Sequence, residues 1–380
     1  MTGFVSRRTL LAGAAATAAS VAVGGCSRER ETTGSTRSPG SSSETTTEST
    51  SPTPTSGPIA DGRDAGYVPP AGTDGDWQTV AASSVGWTDE GLEAVARLAE
   101  ETNSRALTIT VGGRLLLERY FAGWTEATSG DLASVQKSVI STLVGMSVER
   151  GELNLDGAVS DILPAGWSKA GSVEADITIE HLLTMTSGLH PRRLTREAEP
   201  GTTFDYNTAA YQKLRPVLET VTGHDIDTLS RQRMFDPLGM SGGAMWEPRP
   251  DRPTNRDATG ALHWGLSLPA RDLARFGLLA LRKGTWGDAE LTTTSWFDRA
   301  WTPSAAEPSY GYLWWLVGRT VGGGVPGDWV AALGRNDQKV YVVPSLDLVV
   351  TRQGLAANEG GEARTAYDEQ LMRAVLDARD

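Results

Sequence analysis

The sequence has very little cysteine and histidine. Cys26 is the single cysteine, so the chain cannot form an internal disulfide. Four histidines occur among 380 residues, and none lies in a Cys/His cluster with the spacing of a zinc site. These two shortages favour a protein that works without a metal, and nothing in the sequence calls for another cofactor.

Basic residues are also scarce relative to acidic ones. Lys and Arg number 35 against 47 Asp and Glu, which gives a net charge of −12 and a pI of about 5.0. Nucleic-acid binding requires a basic surface, so we expect no nucleic-acid partner. The length and a hydrophobic content of 39% are instead sufficient for one large core.

The first 26 residues have the pattern of an export signal. Paired arginines at Arg7 and Arg8 precede an alanine-rich apolar run, which is too short for a membrane-spanning helix. The run resembles a twin-arginine signal, and Val23-Gly24-Gly25-Cys26 resembles a bacterial lipobox. We therefore predict an exported, extracytoplasmic lipoprotein acylated at Cys26. The alternative is a plain secretory signal with an incidental cysteine.

Residues 27–75 contain mostly Ser, Thr, Pro, Gly and Glu and offer almost nothing to bury. This composition predicts a disordered tether with an r.m.s. span of about 40 Å. The folded domain is predicted to begin near Asp76 and to run to Asp380. Its only membrane contact would then be the lipid anchor.

Ser134 and Lys137 form the Ser-x-x-Lys pattern that organises the rest of the chain. Residues three apart share a face of a helix, so this spacing directs the lysine ammonium towards the serine hydroxyl. A lysine can activate a serine only if the pKa of its amine falls from about 10.4 towards 7. The pattern predicts a nucleophile and its base at a helix N-terminus. The alternative is a capping serine with a solvated lysine.

The order of elements predicts a mixed α/β (α+β) fold. A first helix should begin after Thr88, and a hairpin should turn at Gly112-Gly113. The pattern near the C-terminus predicts four more strands and a final helix, with the strands at Tyr312–Val317, Trp329–Leu333, Lys339–Val343 and Leu348–Arg352. We expect one antiparallel sheet built from both termini (about 76–133 and 305–380), covered on one face by the terminal helices and on the other by a mostly helical region (about 134–304).

Three further helices are predicted inside the helical region, at Thr178–Thr186, Asp225–Phe235 and Arg271–Arg282. The segment from Ala209 to Thr222 also has a helical pattern. Pro216 lies inside it, so a kink or a break is expected there.

Six motifs occur in a fixed order along the chain. They are Ser134–Lys137, Thr178–Leu189, Phe204–Thr208, Asp236–Met240, Arg271–Gly277 and Tyr310–Trp315. Together they resemble the serine hydrolases of the β-lactamase-like and penicillin-binding-protein superfamily. The relevant branch contains class C β-lactamases, DD-peptidases, family VIII esterases and 6-aminohexanoate-dimer hydrolases.

The resemblance implies a role for each matched residue. Ser134 would form an acyl-enzyme, Lys137 would receive or relay its proton, and Tyr206 would assist as phenolate or phenol. A neighbouring ammonium favours phenolate, so we expect Lys137 and Tyr206 to titrate as a coupled pair. The strand that holds Lys-Thr-Gly in relatives corresponds to Gly334, Arg335 and Asn336. The backbone N–H groups of Arg335 and Ser134 would form the oxyanion hole.

Two departures from the family pattern bear on the substrate. Tyr206-Asn207-Thr208 has threonine where penicillin-recognising relatives have asparagine, and the chain contains no Lys-Thr-Gly. The cation that holds a β-lactam or peptide carboxylate is therefore missing unless Arg335 replaces it. Both departures favour an esterase or amidase acting on a small molecule or peptide over a DD-peptidase or β-lactamase.

Two other interpretations remain. Gly239-Met240-Ser241-Gly242-Gly243 spells the nucleophile elbow of α/β-hydrolases, although such an elbow needs a preceding strand, a following helix and a later histidine. The chain could also be a non-catalytic member of the fold that binds cell-wall peptide. Among the histidines, His181 is predicted to be structural, and His190, His224 and His263 are predicted to lie in loops.

Overall fold

The computed structural model describes residues 66–73, 75–358 and 362–380. The predicted signal segment, Cys26 and the tether up to residue 65 lie outside these ranges. No helix within the described ranges has both the length and the apolar character needed to span a bilayer.

A five-stranded antiparallel sheet forms the centre of the domain, and both ends of the chain contribute to it. Its strand order is β2-β1-β10-β9-β8, so the N-terminal hairpin joins the C-terminal strands through β1 and β10. The strands of the described residues are β1 (Ser104–Val111), β2 (Arg114–Tyr120), β3 (Ser129–Asp131), β4 (Met245–Pro248), β5 (Trp264–Pro269), β6 (Thr285–Trp286), β7 (Ala289–Glu290), β8 (Val330–Gly334), β9 (Gln338–Val343) and β10 (Leu348–Gly354).

Helices cover both faces of this sheet, as the sequence predicted. The described helices are α1 (Asp89–Glu101), α2 (Gln136–Glu149), α3 (Ile179–Leu183), α4 (Thr208–Tyr211), α5 (Leu214–Thr222), α6 (Ile226–Ser230), α7 (Ala270–Leu281), α8 (Thr294–Ala300) and α9 (Ala366–Asp377). Helices α1 and α9 form one core with alternate residues of β1 and β10, such as Leu107, Ile109 and Val350. Helix α7 packs on the opposite face, where Val349 points. This alternation is the period of a β-strand.

A smaller sheet links the helical region to the turn that carries Ser134. It has the order β3-β5-β4, and it pairs Asp131 at the end of β3 with Ser267 of β5. Strand β4 lies on the other side of β5 and ends at Pro248. These contacts bring β4 and β5, which lie more than a hundred residues later in the sequence, to the turn before α2.

The predicted strand at Tyr312–Val317 is wrong. Trp315 makes only isolated bridges, to Tyr310 and Ala331, and a 3₁₀ turn follows at Val317–Arg319. Leu313 has a positive φ of 60°, and its N–H donates to the Leu183 carbonyl instead of to a strand. Residues 312–317 are rich in aromatic and aliphatic side chains. Such a composition is typical of a buried strand, but a loop that is buried on all sides has the same composition.

The helix predicted at Thr178–Thr186 is shorter than expected. Thr178 caps it by accepting from the N–H of His181, whose ring in turn accepts from the Thr178 N–H, so His181 has the predicted structural role. The helix ends at Leu183, and Met185 already has a φ of 58°. The sequence also predicts that Gly188 ends this helix. That prediction is wrong, because Gly188 has a positive φ of 68° but lies beyond the helix end at Leu183.

The break expected near Pro216 is confirmed. Helix α4 ends at Tyr211 and α5 begins at Leu214, with Pro216 in the first turn of α5. A proline is tolerated there because the first N–H groups of a helix have no partner within it.

The ordered domain begins before Asp76, so part of the predicted tether belongs to it. Arg275 donates to the carbonyls of Pro70 and Gly72, and Arg271 donates to those of Thr73 and Gly75. The Gly72 N–H also donates to the Gly239 carbonyl at 2.8 Å. These backbone contacts with two arginines of α7 could not be inferred from a composition rich in Pro and Gly.

Candidate active site

Ser134 lies in a strained turn that leads directly into α2. The turn Ala133–Val135 is 3₁₀-helical, and Ala133 has a φ of 47°, which is unfavourable for a residue with a side chain. The Ser134 side chain caps neither this turn nor α2, whose N-cap is Val135. It is partly exposed at the N-terminal end of α2, as the sequence predicted. The capping alternative is therefore excluded.

Lys137 is almost completely buried beside Ser134, with 2% of its surface exposed. Its Nζ donates to Ser134 Oγ at 2.9 Å and to Thr208 Oγ1 at 3.2 Å. Burial, with a smaller contribution from the charge of Arg249, lowers the pKa of Lys137 to about 7. A substantial fraction of this amine is therefore neutral near pH 7 and able to accept a proton.

Two aromatic rings enclose the same amine. Lys137 Nζ lies 5.0 Å from the ring centroid of Tyr206 and 4.6 Å from that of Tyr211. Ring faces stabilise an ammonium, and this acts against the effect of burial. A ring face is much weaker than a carboxylate as a partner, so burial determines the direction of the shift in the pKa of Lys137.

Tyr206 lies close to Ser134 within an aromatic cluster. Its ring stacks on Trp315 at 5.7 Å and meets the edge of Tyr310 at 6.1 Å. Burial raises the pKa of Tyr206 to about 12, and hydrogen bonding with Ser134 opposes this rise only in part. The sequence left phenolate and phenol open for Tyr206, and burial favours the phenol in the free protein.

Thr208 is the site residue whose contribution the sequence left unrecognised. It occupies the last place of Tyr206-Asn207-Thr208, and its hydroxyl contacts Lys137. The side chain of Asn207 is used elsewhere: it donates to the Leu189 carbonyl and accepts from the Ala210 N–H at the start of α4. The position of Thr208 in the motif was the available signal, but only the fold shows that its hydroxyl reaches the amine.

Gly334 brings the end of β8 against the turn that carries Ser134. A Cβ atom at this position would lie 2.5 Å from the Leu132 carbonyl oxygen and 3.1 Å from the Ser134 nitrogen. No side chain fits there, so Gly334, at the end of β8, lies directly against the backbone of Leu132 and Ser134. The side chains of Arg335 and Asn336 are exposed on the turn that follows.

A buried arginine holds this turn in its unusual conformation. Asn336 and Asp337 both have a φ of 59°, and Arg352 donates to their two carbonyl oxygens at 2.9 and 3.0 Å. Arg352 has no exposed surface. From the sequence, Arg352 is predicted only to lie in a strand, because nothing local indicates that its guanidinium turns back towards residues 336 and 337.

The competing nucleophile elbow is excluded by its surroundings. Ser241 donates to Asp272 Oδ2 at 2.7 Å, and that carboxylate also accepts from Arg275. No strand leads into Ser241, which lies in a loop before β4. His190, His224 and His263 lie in loops as predicted. Within the described residues, no three His, Cys, Asp or Glu side chains group closely enough to hold a metal ion.

Comparisons with known proteins agree with this architecture. Residues 93–376 match the family described as Beta-lactamase. The chain is 25% identical over 302 residues to 6-aminohexanoate-dimer hydrolase of Paenarthrobacter ureafaciens, covering 67% of this chain and 73% of that protein. It is 31% identical over 127 residues to penicillin-binding protein 4 of Amycolatopsis lactamdurans, covering 28% and 33% of the two chains. A penicillin-binding protein structure from Bacillus halodurans shares the fold with a TM-score of 0.57 at 20% identity, covering 74% and 98%.

Proposed function

The chain belongs to the β-lactamase family, and from that premise we propose that it is a serine hydrolase that cleaves an ester or amide through an acyl-enzyme on Ser134. The observation that carries the proposal is the 2.9 Å contact between Ser134 Oγ and a buried amine that has no carboxylate partner among the described residues. Its low pKa allows Lys137 to be a base near neutral pH.

The reaction begins when Ser134 Oγ attacks the substrate carbonyl and its proton passes to Lys137 Nζ. The oxyanion that forms accepts hydrogen bonds from the backbone N–H groups of Ser134 and Arg335, held together by the close approach at Gly334. The proton then moves from Lys137 to the departing oxygen or nitrogen, with the Tyr206 phenol as relay. Water attacks the ester on Ser134 in the second half and gives its proton to Lys137, which returns it to Ser134 Oγ.

Ester or amide cleavage is favoured over β-lactam turnover by the residues around the amine. Thr208 replaces the asparagine of penicillin-recognising relatives, and no Lys-Thr-Gly occurs in the chain. The named activity of the P. ureafaciens relative is hydrolysis of the 6-aminohexanoate dimer, an amide. The substrate of this chain is accordingly a small-molecule or peptide ester or amide.

A DD-peptidase or weak β-lactamase is the second candidate, and one observation favours it. The exposed Arg335 guanidinium makes no hydrogen bond or ion pair within the described part of the chain. It lies on the turn after Gly334, where a cation would reach a substrate carboxylate. A non-catalytic cell-wall-binding protein is less well supported, because Ser134, Lys137 and Thr208 are in direct contact.

The test uses residues 27–380, so that the ordered segment before Asp76 is kept. Intact-mass spectrometry after reaction with a fluorophosphonate should show one adduct, absent from Ser134→Ala. Turnover of p-nitrophenyl butyrate with little nitrocefin hydrolysis supports the esterase or amidase. Efficient nitrocefin hydrolysis favours the second candidate, and a folded protein that forms no adduct contradicts both.

We extend the proposal to the place where the enzyme acts. Arg7 and Arg8, the apolar run and Cys26 support export and lipidation, and residues 27–65 support a spacer between membrane and enzyme. Palmitate fed to cells expressing the full chain should label it, and Cys26→Ser should abolish the label and release the protein from membranes. Labelling that persists in Cys26→Ser would contradict the assignment.

A further inference from the structure

We propose that the Asp131–Arg249 ion pair is a positioning device for the reaction: it fixes the turn that presents Ser134 and keeps a permanent positive charge near Lys137. The inference rests on the proposed function, because it concerns the nucleophile and base named there. Asp131 and Arg249 are 118 positions apart in sequence, and neither lies in one of the six motifs.

Asp131 controls the backbone immediately before the nucleophile. Its Oδ1 accepts the N–H of Ala133, two residues later, at 2.9 Å. Aspartate favours this local bond, which stabilises a turn. Ala133 needs such support because its φ of 47° is costly for a non-glycine residue. Loss of the Asp131 carboxylate would therefore allow Ala133 to relax and move Ser134.

Arg249 holds the Asp131 carboxylate with both terminal nitrogens of its guanidinium. Nη2 donates to Oδ1 at 2.8 Å, and Nη1 donates to Oδ2. Such a two-pronged pair fixes the orientation of the carboxylate as well as its position. Arg249 follows β4, and its own N–H donates to the His263 carbonyl at 2.8 Å, which fixes its backbone.

Gly265 provides the space in which this guanidinium lies. A Cβ atom at Gly265 would be 2.5 Å from Arg249 Cζ, so any side chain on β5 at this position would displace the arginine. Gly265 is not one of the described glycines with a positive φ, so its backbone conformation does not require glycine. The close approach of Arg249 is the reason for glycine at this position.

The surroundings of Lys137 show why the charge of Arg249 matters. Ser134 and Thr208 offer hydroxyls from the α2 and α4 segments, and Tyr206 and Tyr211 offer ring faces. His263 also interacts electrostatically with Lys137. Burial lowers the pKa of His263, so it is neutral near pH 7.

The Arg249 guanidinium packs against Gly265. The carbonyl of the preceding Trp264 accepts from Gln136 Nε2, in the residue before Lys137, at 2.9 Å. This position places a permanent positive charge near α2, and its repulsion acts on the ammonium form of Lys137. The competing explanation for the pair is stability alone. The side chains of Arg249 and Asp131 are 28% and 49% exposed, and ion pairs at such positions contribute little to folding. A purely structural role would leave the titration of Lys137 unchanged, so this titration distinguishes the two explanations.

The first experiment measures the charge effect without any reaction. Lysine labelled with ¹³C at Cε gives five signals from residues 27–380, because the sequence has only Lys137, Lys169, Lys213, Lys283 and Lys339. We expect Arg249→Met to raise the pKa of Lys137 by about half a unit to one unit. Arg249→Lys should keep it close to the wild-type value.

Arg256→Met is the matched control, because Arg256 makes a similar two-nitrogen pair with Asp251 on the same chain segment but is exposed. It should leave the pKa of Lys137 unchanged. An unchanged Lys137 titration in folded Arg249→Met would overturn the charge half of the proposal.

The second experiment measures positioning through the rate of fluorophosphonate labelling across pH. Asp131→Ala should slow labelling about tenfold at every pH without moving the inflection upwards. Arg249→Met should also slow labelling, and the inflection of its rate against pH should move to higher pH. In Arg249→Lys the inflection should return to the wild-type pH, whereas the rate should stay below that of wild type. Equal rates in Asp131→Ala and wild type would overturn the positioning half.

The two experiments separate this inference from the proposed function. If the folded wild type is not labelled, Ser134 is not the reactive nucleophile, and both the proposed function and the positioning half are overturned. The ¹³C titration still decides whether Arg249 controls the charge of Lys137.

Discussion

Three lysines are buried in the described part of the chain, and they differ in the partners of their ammonium groups. Lys339 has no exposed surface and contacts two carboxylates, Asp368 at 2.7 Å and Asp337 at 3.1 Å. Lys213 contacts Asp257 at 2.6 Å. Lys137 is buried to a similar degree, but its partners are two hydroxyls and two ring faces.

The difference shows how a fold distinguishes a structural lysine from a base. Burying an ammonium costs several kcal/mol unless a carboxylate accompanies it. Lys213 and Lys339 each contact such a carboxylate, whereas Lys137 contacts none among the described residues. The cost at Lys137 appears as the fall of its pKa to about 7, which is the property that a base for Ser134 requires.

The largest expected effect is on catalysis. Lys137→Met should reduce p-nitrophenyl butyrate turnover at least about a thousandfold, because the nucleophile and its base act as a unit. Lys339→Met, measured on protein that has remained folded, should retain most of the turnover, because the Lys339 ammonium contacts Asp337, Asp368 and the Ala363 carbonyl and makes no hydrogen bond to Ser134, Lys137 or Thr208. Similar losses in both variants would remove the distinction between the two lysines.

The second effect concerns stability, and here the replacement of Lys339 should be more damaging than the replacement of Lys137. Lys339→Met should lower the free energy of unfolding by about 3–5 kcal/mol, because it leaves the buried Asp337 and Asp368 without their cation. Urea denaturation measures this change. Lys283→Met is the control, since Lys283 pairs with Asp298 at an exposed position and should contribute below about 1 kcal/mol.

The third effect is a gain of stability from removing the base. Lys137 has its pKa lowered from 10.5 to about 7 on folding, so the unfolded chain binds an extra proton between these values. Stability therefore rises with pH from about 7 to 10.5, and the cost of burying Lys137 is complete below pH 7. Lys137→Met should be more stable than wild type by about 1–4 kcal/mol at pH 6.

This advantage of Lys137→Met should shrink as the pH approaches 10. Urea denaturation at pH 6 and pH 9.5 measures the change. An advantage that is equal at both pH values would mean that the pKa of Lys137 is not lowered by folding.

The smallest effect comes from giving Lys137 the partner that it lacks. Thr208→Asp would place a carboxylate beside the amine, and the pKa of Lys137 should rise by about one unit or more. The ¹³Cε titration of Lys137 measures the rise. Thr208→Asn is the neutral control, and it should leave the titration of Lys137 near that of wild type. A carboxylate at 208 that left the titration unchanged would contradict our account of why this lysine is different.

The sequence predicted the parts of the site that depend on local pattern. The Ser134–Lys137 spacing, the helix that follows and the sheet built from both termini all follow from periodicity and motif order. Asp131 and Arg249 could not be found in this way, because their ion pair joins positions 118 residues apart. The need for glycine at 265 follows only from where the Arg249 guanidinium lies. The loop at residues 312–317 was mistaken for a strand because burial, and not strand pairing, explains its apolar residues.

The protonation state of Tyr206 was also beyond the sequence. A charge argument favoured phenolate, whereas the rings of Trp315 and Tyr310 bury the phenol and raise its pKa. Which of two opposing effects is larger depends on distances and burial, and these are known only from the fold.

The rate of acylation as a function of pH tests the central claim most directly. A stopped-flow measurement of the p-nitrophenol burst from wild-type protein should show a rate that rises with pH through a single inflection near 7, where Lys137 becomes neutral. A rate that is flat from about pH 5.5 to 9, or that rises only above about pH 9.5, would mean that neutral Lys137 is not the base for Ser134.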